Sequence, residues 1–383
     1  MNYCKRASQA YEVTISNAVA ELPPEWNQLL PQDHFLKSEQ LLITEESRLP
    51  DLDFFYALVK RNGMPVAAAY FQVLNIKPYH VDSSRLSNLQ RCVWYSFAKA
   101  AKPKLLVAGH LFRHDIASFF SKDILSPFET YQCYNAAIEA VFRHSCASAI
   151  LVKDMPQELI TYFQHYAPQY ILLRNDISME MEVNPAWTEL KGYEKSLKHK
   201  YAQRLRKIRQ SWDALTIKEL NAADVENHKQ VIFDLYNQVS KKQQVRLGIL
   251  NENFLPLLKK NYPDDFFVWL ALENEQPVAF FSAWSREELF DMFYIGFDYS
   301  RNDSLQLYFN ILFFSVEQAI RMGKKKLILG RTALEAKARI GCKPVYLSTF
   351  LYIKNPLVRS LMLRAQQSIA ANEGEWENRH PFK

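Results

Sequence analysis

Between Asp291 and Val345 the chain carries a run of side chains suited to holding an anion and moving protons beside it: Arg301, Ser304, Arg331, Thr332, Glu335 and Lys337, with Tyr294 and Tyr308 among them. Arginine offers a planar fork that meets phosphate or carboxylate oxygens two at a time. Arg301 and Arg331 each follow a segment that reads as a strand, so both belong to loops that would flank a phosphate; a surface ion pair accounts for each as well. Lys337 stands near the N-terminal end of a short helix, where a cation opposes the helix dipole. That placement favours a phosphate contact over mere solvation. Glu335 is three residues after Thr332, the spacing of a capping box, and it is also a carboxylate able to accept a proton. Tyr308 lies one turn into its helix, where a phenol either donates a proton or packs in the core. Tyr294 shares a strand face with Gly296.

The elements that must position these groups follow from pattern. Phe293, Ile295 and Phe297 alternate with Met292, Tyr294, Gly296 and Asp298, which predicts a strand over 291–298. Asp303 or Ser304 then caps a long helix whose apolar positions Leu305, Tyr308, Leu312, Val316 and Ile320 repeat at helical spacing until Gly323. Lys326–Leu329 is a short apolar run, hence a buried strand. It ends at Gly330, where a glycine permits a tight turn or a close backbone approach. Strand, helix, strand, helix implies parallel strands joined by a crossover, with loops and a helix N-terminus gathered at the strands' C-terminal ends. Anions bind in such places. Arg301 and Arg331 are therefore expected to converge there.

Composition narrows the classes. The 383 residues suffice for two domains with sizeable cores. No apolar run approaches the ~20 residues that span a bilayer, and the N-terminus MNYCKRASQAYEVT lacks the apolar centre of a signal peptide. Cys4, Cys92, Cys133, Cys146 and Cys342 are odd in number and scattered, as reduced thiols of a cytoplasmic protein are. His110 and His114 are four apart, a chelating spacing on a helix. No glutamate adjoins the first and no third ligand is evident, so no metal is expected. Walker A and Rossmann glycine motifs are absent. Residues 1–190 hold 17 Lys and Arg against 20 Asp and Glu, whereas residues 191–383 hold 30 against 21. An anionic ligand belongs with the second half.

The chain also repeats itself. At a constant offset of 212, eight of the fifteen positions from 53 to 67 are identical to those from 265 to 279, including Asp-Phe-Phe, Asn and Pro-Val-Ala. That predicts one hairpin used twice. Each copy is followed by a helix feeding a short apolar strand and ends in a strand closed by Asn-Pro, at 184–185 and 355–356. The domains read as 1–190, a linker helix over 191–212, and 213–383 with a C-terminal helix; the tail NRHPFK reads as a surface strap. In the linker, Leu197, Tyr201, Leu205, Ile208 and Trp212 form one apolar stripe to be buried, and Lys195, Lys198, Lys200, Arg204, Arg206, Lys207 and Arg209 fill the rest. This basic surface is either solvated or a clamp for phosphates or RNA.

The run YIGFDYSRNDSLQLYFNILFFSVEQAIRMGKKKLILGRTALEAKARIGCKPVYL, preceded by SLKHKYAQRLRKIRQ, resembles the C-terminal module of the FemAB-like branch of the GNAT acyltransferase superfamily. The likeness covers about residues 190–356, with the first half matching in outline. It implies an α/β (α+β) fold of two tandem GNAT-like modules, each a mixed twisted sheet flanked by helices. It also implies transfer of an acyl group from acyl-CoA to a small-molecule or peptide amine held between the modules, the alternative donor being aminoacyl-tRNA in the manner of Fem-type peptidyl transferases. A non-catalytic protein gripping an anionic ligand is a third reading. By this resemblance the pantetheine arm pairs with Tyr294–Asp298, including Gly296, and the pyrophosphate meets Tyr299–Ser304, with Gly330, Arg331, Thr332 and Lys337 completing the cofactor site. The usual loop there is Gln/Arg-x-x-Gly-x-Gly/Ala, whereas this chain has SRNDS. Transfer needs a base, carbonyl polarisation and an acid. Glu335 is the candidate base, Tyr308 the acid, and Tyr294 a wall of the acyl slot.

Overall fold

A computed structural model describes residues 11–82, 84, 87–113, 117–173, 176–369 and 379–383. In chain order the first elements are β1 (Glu12–Ser16), α1 (Glu25–Leu29), α2 (Ser38–Glu46), β2 (Leu52–Arg61) and β3 (Met64–Asn75). They are followed by α3 (Asn88–Ala101), β4 (Lys104–Ala108), β5 (Phe119–Ser121), α4 (Pro127–Ser145), β6 (Ala149–Val152), α5 (Gln157–Tyr166) and β7 (Ile171–Leu173). Next come β8 (Ile177–Glu182), α6 (Leu190–Ser196), α7 (His199–Trp212), β9 (Thr216–Glu219), α8 (Ala222–Asn227), α9 (Lys229–Ser240) and α10 (Phe254–Asn261). The second hairpin, β10 (Phe266–Glu273) and β11 (Gln276–Arg286), leads to β12 (Leu289–Phe297), α11 (Tyr299–Leu305), α12 (Leu307–Arg321) and β13 (Lys326–Ile328). The chain closes with α13 (Leu334–Ala338), β14 (Lys343–Tyr346), β15 (Thr349–Ile353) and α14 (Pro356–Ile369).

These elements form two compact units: residues 1–174, 245–249 and 347–368, and residues 175–244, 250–346 and 369–383. The first sheet runs β1-β2-β3-β4-β6-β15-β7, with β5 also on β3; the second runs β9-β10-β11-β12-β13-β8-β14. The orders correspond strand for strand, β4 and β5 together matching β12. Each sheet is antiparallel except for one parallel pair, β4 with β6 and β12 with β13. The chain is thus a mixed α/β protein built of tandem modules.

The repeat lies where the offset requires. Asn62 and Gly63 both have positive φ, as do Asn274 and Glu275, so both hairpins close through left-handed turns that match strand twist. The ladder slips after Val59 in one and after Ala271 in the other, again 212 apart. The strands before the Asn-Pro pairs behave differently. Ile177–Glu182 inserts between β13 and β14 of the second sheet, and Thr349–Ile353 between β6 and β7 of the first. Each module is completed by a strand from the other half of the sequence. Local pattern specifies that a strand exists and not which edge it joins.

In the second unit α6 and α7 are broken at Leu197–Lys198, yet the stripe holds: Leu197, Leu205, Ile208 and Trp212 are buried and Tyr201 is half-buried. This segment is part of the unit's core wall, packed on α12. Residues 379–383 strap the same unit: Lys198 N donates to Pro381 O at 2.8 Å and Lys383 N to Ser196 O at 3.0 Å. Gly341 (φ 106°) makes room for the strap, since a Cβ there would lie 2.3 Å from the Phe382 ring.

Candidate functional site

The parallel strands β12 and β13 pair over only three positions, Leu289 with Lys326 to Asp291 with Ile328. Beyond them β12 continues to Phe297, while the segment after β13 turns at Gly330 (φ 76°) towards α13. A left-handed φ is why glycine stands at 330. At this strand end the structure buries a lysine. Lys337 is 4% exposed, and its Nζ donates to Gly330 O at 3.3 Å. Burial drives its pKa from the ordinary 10.5 down to about 8, the neighbouring Cys342 thiol acting weakly the other way. An amine in that range gives up or takes a proton near neutral pH. Cys342, also buried, is pushed up to about 12 by desolvation and stays a thiol. Tyr308 is half-buried; desolvation, then Cys342 and Tyr299, raise its phenol, which therefore keeps its proton. Cys342 thus lies within electrostatic reach of both Lys337 and Tyr308.

A cationic rim adjoins them. Glu335 receives Arg339 and, at 3.0 Å, Arg379. Arg204 of α7 feels both Arg339 and Glu335, and its guanidinium lies 4.7 Å from the centre of the Phe309 ring, next to Tyr308. Two guanidiniums paired with one carboxylate, and a third within its electrostatic reach, leave a net positive edge, which attracts polyanions. Arg339 first, then Arg379, hold the Glu335 carboxylate below its usual range. A general base at neutral pH is favoured by the opposite shift; here Glu335 bridges Arg339 and Arg379.

The other sequence candidates divide. Thr332 does not cap: α13 begins after Ala333, itself left-handed at φ 51°, with no side-chain cap bond, because the chain leaves Gly330 in a turn that displaces the helix start. Arg301 and Arg331 are not brought together. Arg301 pairs with Glu273 at the end of β10, and Nη1 of Arg331 donates to both oxygens of Asp176, at 2.9 and 2.8 Å, just before β8. β10 and β8 stand on opposite sides of the β11-β12-β13 centre. Each guanidinium is neutralised by its own carboxylate, and the reasoning from parallel crossovers fails because β12 runs six residues past the paired stretch. Ser304 is exposed and bonds back to Arg301 O. Tyr294 is half-buried with its ring edge-on to Tyr236, and burial raises its phenol. Gly296 is occupied from one side: a Cβ there would meet the backbone of Leu235 and Tyr236 at 2.4 Å, so the close approach is that of α9.

The segment expected to form one capped helix is two. Asp298 caps α11 by accepting from Ser300 N at 2.9 Å; Gln306 breaks the helix at φ 49°; and Asn302 Oδ1 accepts from Tyr308 N at 3.1 Å. Tyr299 N donates to Gln238 Oε1 and Arg301 N to Asp298 O. The three amides best placed to meet a pyrophosphate are therefore already bonded within the protein. At the other end of β13 a cavity of about 1240 Å³ is lined by Lys324, Lys325, Lys326 and Lys383, among others. Their ammonium groups go to Glu287 O, Glu288, Glu180 and Lys195 O, which accounts for them structurally.

In the first unit His110 is buried in a bend after β4, its Nδ1 accepting from the amides of Phe112 and Arg113, both at 3.1 Å. His114 lies outside the described residues. No group of three His, Cys, Asp or Glu that could hold a metal occurs among the described residues.

Sequence reasoning missed Cys342, Arg204 as a rim residue, Arg339 and Arg379. The available signal was the cluster of Lys337, Arg339 and Cys342 around Gly341, the glycine that the strap requires.

Residues 132–383 match the model of the FemAB-like family, described as peptidoglycan biosynthesis/recognition. No curated protein sequence matches the chain. Among solved structures, FemX is similar with a TM-score of 0.45 at 10% identity, over 80% of this chain and 89% of that one. L-PGS from Bacillus licheniformis gives 0.48 at 12%, over 87% and 96%. A probable N-acyltransferase from Enterococcus faecalis V583 gives 0.49 at 10%, over 90% and 72%.

Proposed function

The chain belongs to the FemAB-like family, and from that premise and the site's geometry we propose that it is an acyl or aminoacyl transferase acting on an amine. Its donor is an aminoacyl ester carried on tRNA, in preference to acyl-CoA. The observation that carries the choice of donor is the pairing of two facts: the amides of Tyr299, Ser300 and Arg301 are bonded within the protein, while Arg204, Arg339 and Arg379 form a charged rim beside the buried lysine. Bonded amides disfavour a pyrophosphate, and a rim of arginines suits a phosphodiester chain.

In the reaction the acceptor amine attacks the ester carbonyl carbon, forming the C–N bond. Neutral Lys337 Nζ takes the proton that the amine sheds. The C–O bond to the ribose breaks as Tyr308 Oη gives its proton to the departing oxygen, and the Lys337 ammonium returns a proton to the phenolate. The peptide of a cell-wall precursor, as the family's description suggests, is the acceptor class. The edge of β12 beyond Asp291, which β13 leaves, supports the acyl-CoA reading as the second one, because a pantetheine amide would pair with such an edge.

Binding separates the donors. Titration with bulk aminoacyl-tRNA and with coenzyme A, followed by thermal unfolding, reports which ligand stabilises the fold by mass action. Stabilisation by tRNA, weakened in Arg204→Glu, is expected. Stabilisation by coenzyme A alone would move the assignment to acyl-CoA, and stabilisation by neither would favour a non-catalytic role.

A further inference from the structure

We infer that the first unit carries a docking surface for an anionic phospholipid bilayer, made by α3 and the first turns of α14. The inference does not rest on the proposed reaction.

Helix α3 is well formed at its start, where Ser87 and Gln90 close a capping box. It is held to the unit by little. Ala98 is buried, Trp94 is half-buried and donates from Nε1 to Pro78 O at 3.0 Å, and the other described side chains of the helix are exposed. Leu89, Cys92, Ser96 and Ala100 recur at three- and four-residue spacing on the side away from Trp94 and Ala98, with Phe97 beside them. Leu89 is 76% exposed and Phe97 50%. A 14-residue helix has little stability of its own in water, and turning apolar side chains outward adds none. Such a face signals a partner.

Helix α14 repeats the arrangement. Leu357 is 75% exposed, with Val358, Met362 and Leu363 also exposed. The residues just after α3 and just before α14 lie at one end of the adjacent strands β4, β6 and β15: Lys354 N donates to Ser148 O at 3.0 Å, and Ser148 N to Lys104 O at 2.9 Å.

Charge identifies the partner. Residues 83–114 and 347–368 contain no Asp or Glu, while Arg91, Lys99, Lys102, Lys104, Lys354 and Arg359 stand on or beside the two helices. Amphipathic helices with basic flanks and outward Leu and Phe lie in the interface of anionic membranes, apolar side chains among the acyl chains and cations at the head groups. Aliphatic Leu89, Leu357, Met362 and Leu363 offer a nucleic acid neither stacking nor phosphate contacts. No helix among the described residues is long and apolar enough to cross the bilayer, so the contact is a surface one.

The test is co-sedimentation of the full chain with vesicles of phosphatidylcholine, alone or mixed with phosphatidylglycerol. The wild type should partition onto the mixed vesicles and leave them as salt rises. Leu89→Glu with Phe97→Glu, or Leu357→Glu with Leu363→Glu, should lower partitioning by about ten-fold or more, since a charge in the interface opposes insertion. Lys99→Glu with Lys102→Glu should abolish the preference for anionic vesicles; these exposed positions keep the test valid if the apolar variants lose their circular dichroism. Equal partitioning onto neutral and mixed vesicles, no partitioning, or a lipid-free wild-type dimer that Leu89→Glu dissociates would each overturn the assignment.

Discussion

Replacing Lys337 with Met removes the buried amine while keeping an unbranched apolar side chain of similar length, and its effect on stability can be worked out beforehand. A pKa of about 8 in place of 10.5 means that keeping the ammonium in this site costs about 3 kcal/mol, at about 1.4 kcal/mol per tenfold. The bond to Gly330 O returns about 1 kcal/mol. The Met variant should therefore be more stable than the wild type at pH 7, by about 2 kcal/mol. The pH dependence follows from the direction of the shift. Below about 8 the lysine is protonated folded and unfolded, and the full penalty is present. Between about 8 and 10.5 the unfolded chain holds a proton that the folded chain has shed, so wild-type stability rises with pH. Above 10.5 both states are neutral and the penalty is gone. The gap between variant and wild type should thus close as pH rises from 8 towards 10.5. Amide hydrogen exchange of β12 and β13 reads the unit concerned without assuming that the whole chain unfolds at once. A variant less stable at pH 7, or a gap that ignores pH, would refute the reasoning and make Lys337 a tether for the Gly330 turn.

Further expectations follow from other contacts. Gly296→Ala should destabilise the second unit by about 3 kcal/mol or more, because the new Cβ meets the backbone of α9 at 2.4 Å and backbone cannot rotate away; denaturant unfolding measures it. Gly341→Ala should cost about 2–3 kcal/mol, through its positive φ and the Phe382 ring, and Phe382→Ala in the same chain should recover part of that, so a strictly additive double mutant would exclude the contact. Arg331→Ala should cost about 1–3 kcal/mol of stability by taking Nη1 away from both Asp176 oxygens, with donor affinity unchanged; a calorimetric titration showing weaker tRNA binding at full stability would restore Arg331 to the site.

Much of the fold was legible because it is written locally. The Asp-Phe-Phe and Pro-Val-Ala repeat located both hairpins, and the stripe from Leu197 to Trp212 located a helix and its buried face. What was not legible depends on partners distant in sequence. Nothing near Ile177–Glu182 or Thr349–Ile353 says that each strand completes the other module's sheet. Arg331 stands on the loop expected for it and Arg301 in the first turn of α11 instead of a loop, but their partners Glu273 and Asp176 lie 28 and 155 residues away. Glu335 and Lys337 were both singled out, but their burial was not legible: the carboxylate sits exposed between arginines, and the lysine read as a phosphate contact is buried.

The central claim, that transfer occurs at the end of β13 beside Lys337, is tested most directly by single-turnover transfer from labelled aminoacyl-tRNA to a cell-wall precursor peptide. The wild type should form the amide, with a rate that rises with pH towards about 8 as Lys337 loses its proton. Lys337→Met should slow the step by about 10²–10⁴-fold, the usual worth of a positioned acid or base, while retaining its fold and its tRNA affinity. A Met variant that transfers at the wild-type rate with the same pH profile would contradict the claim.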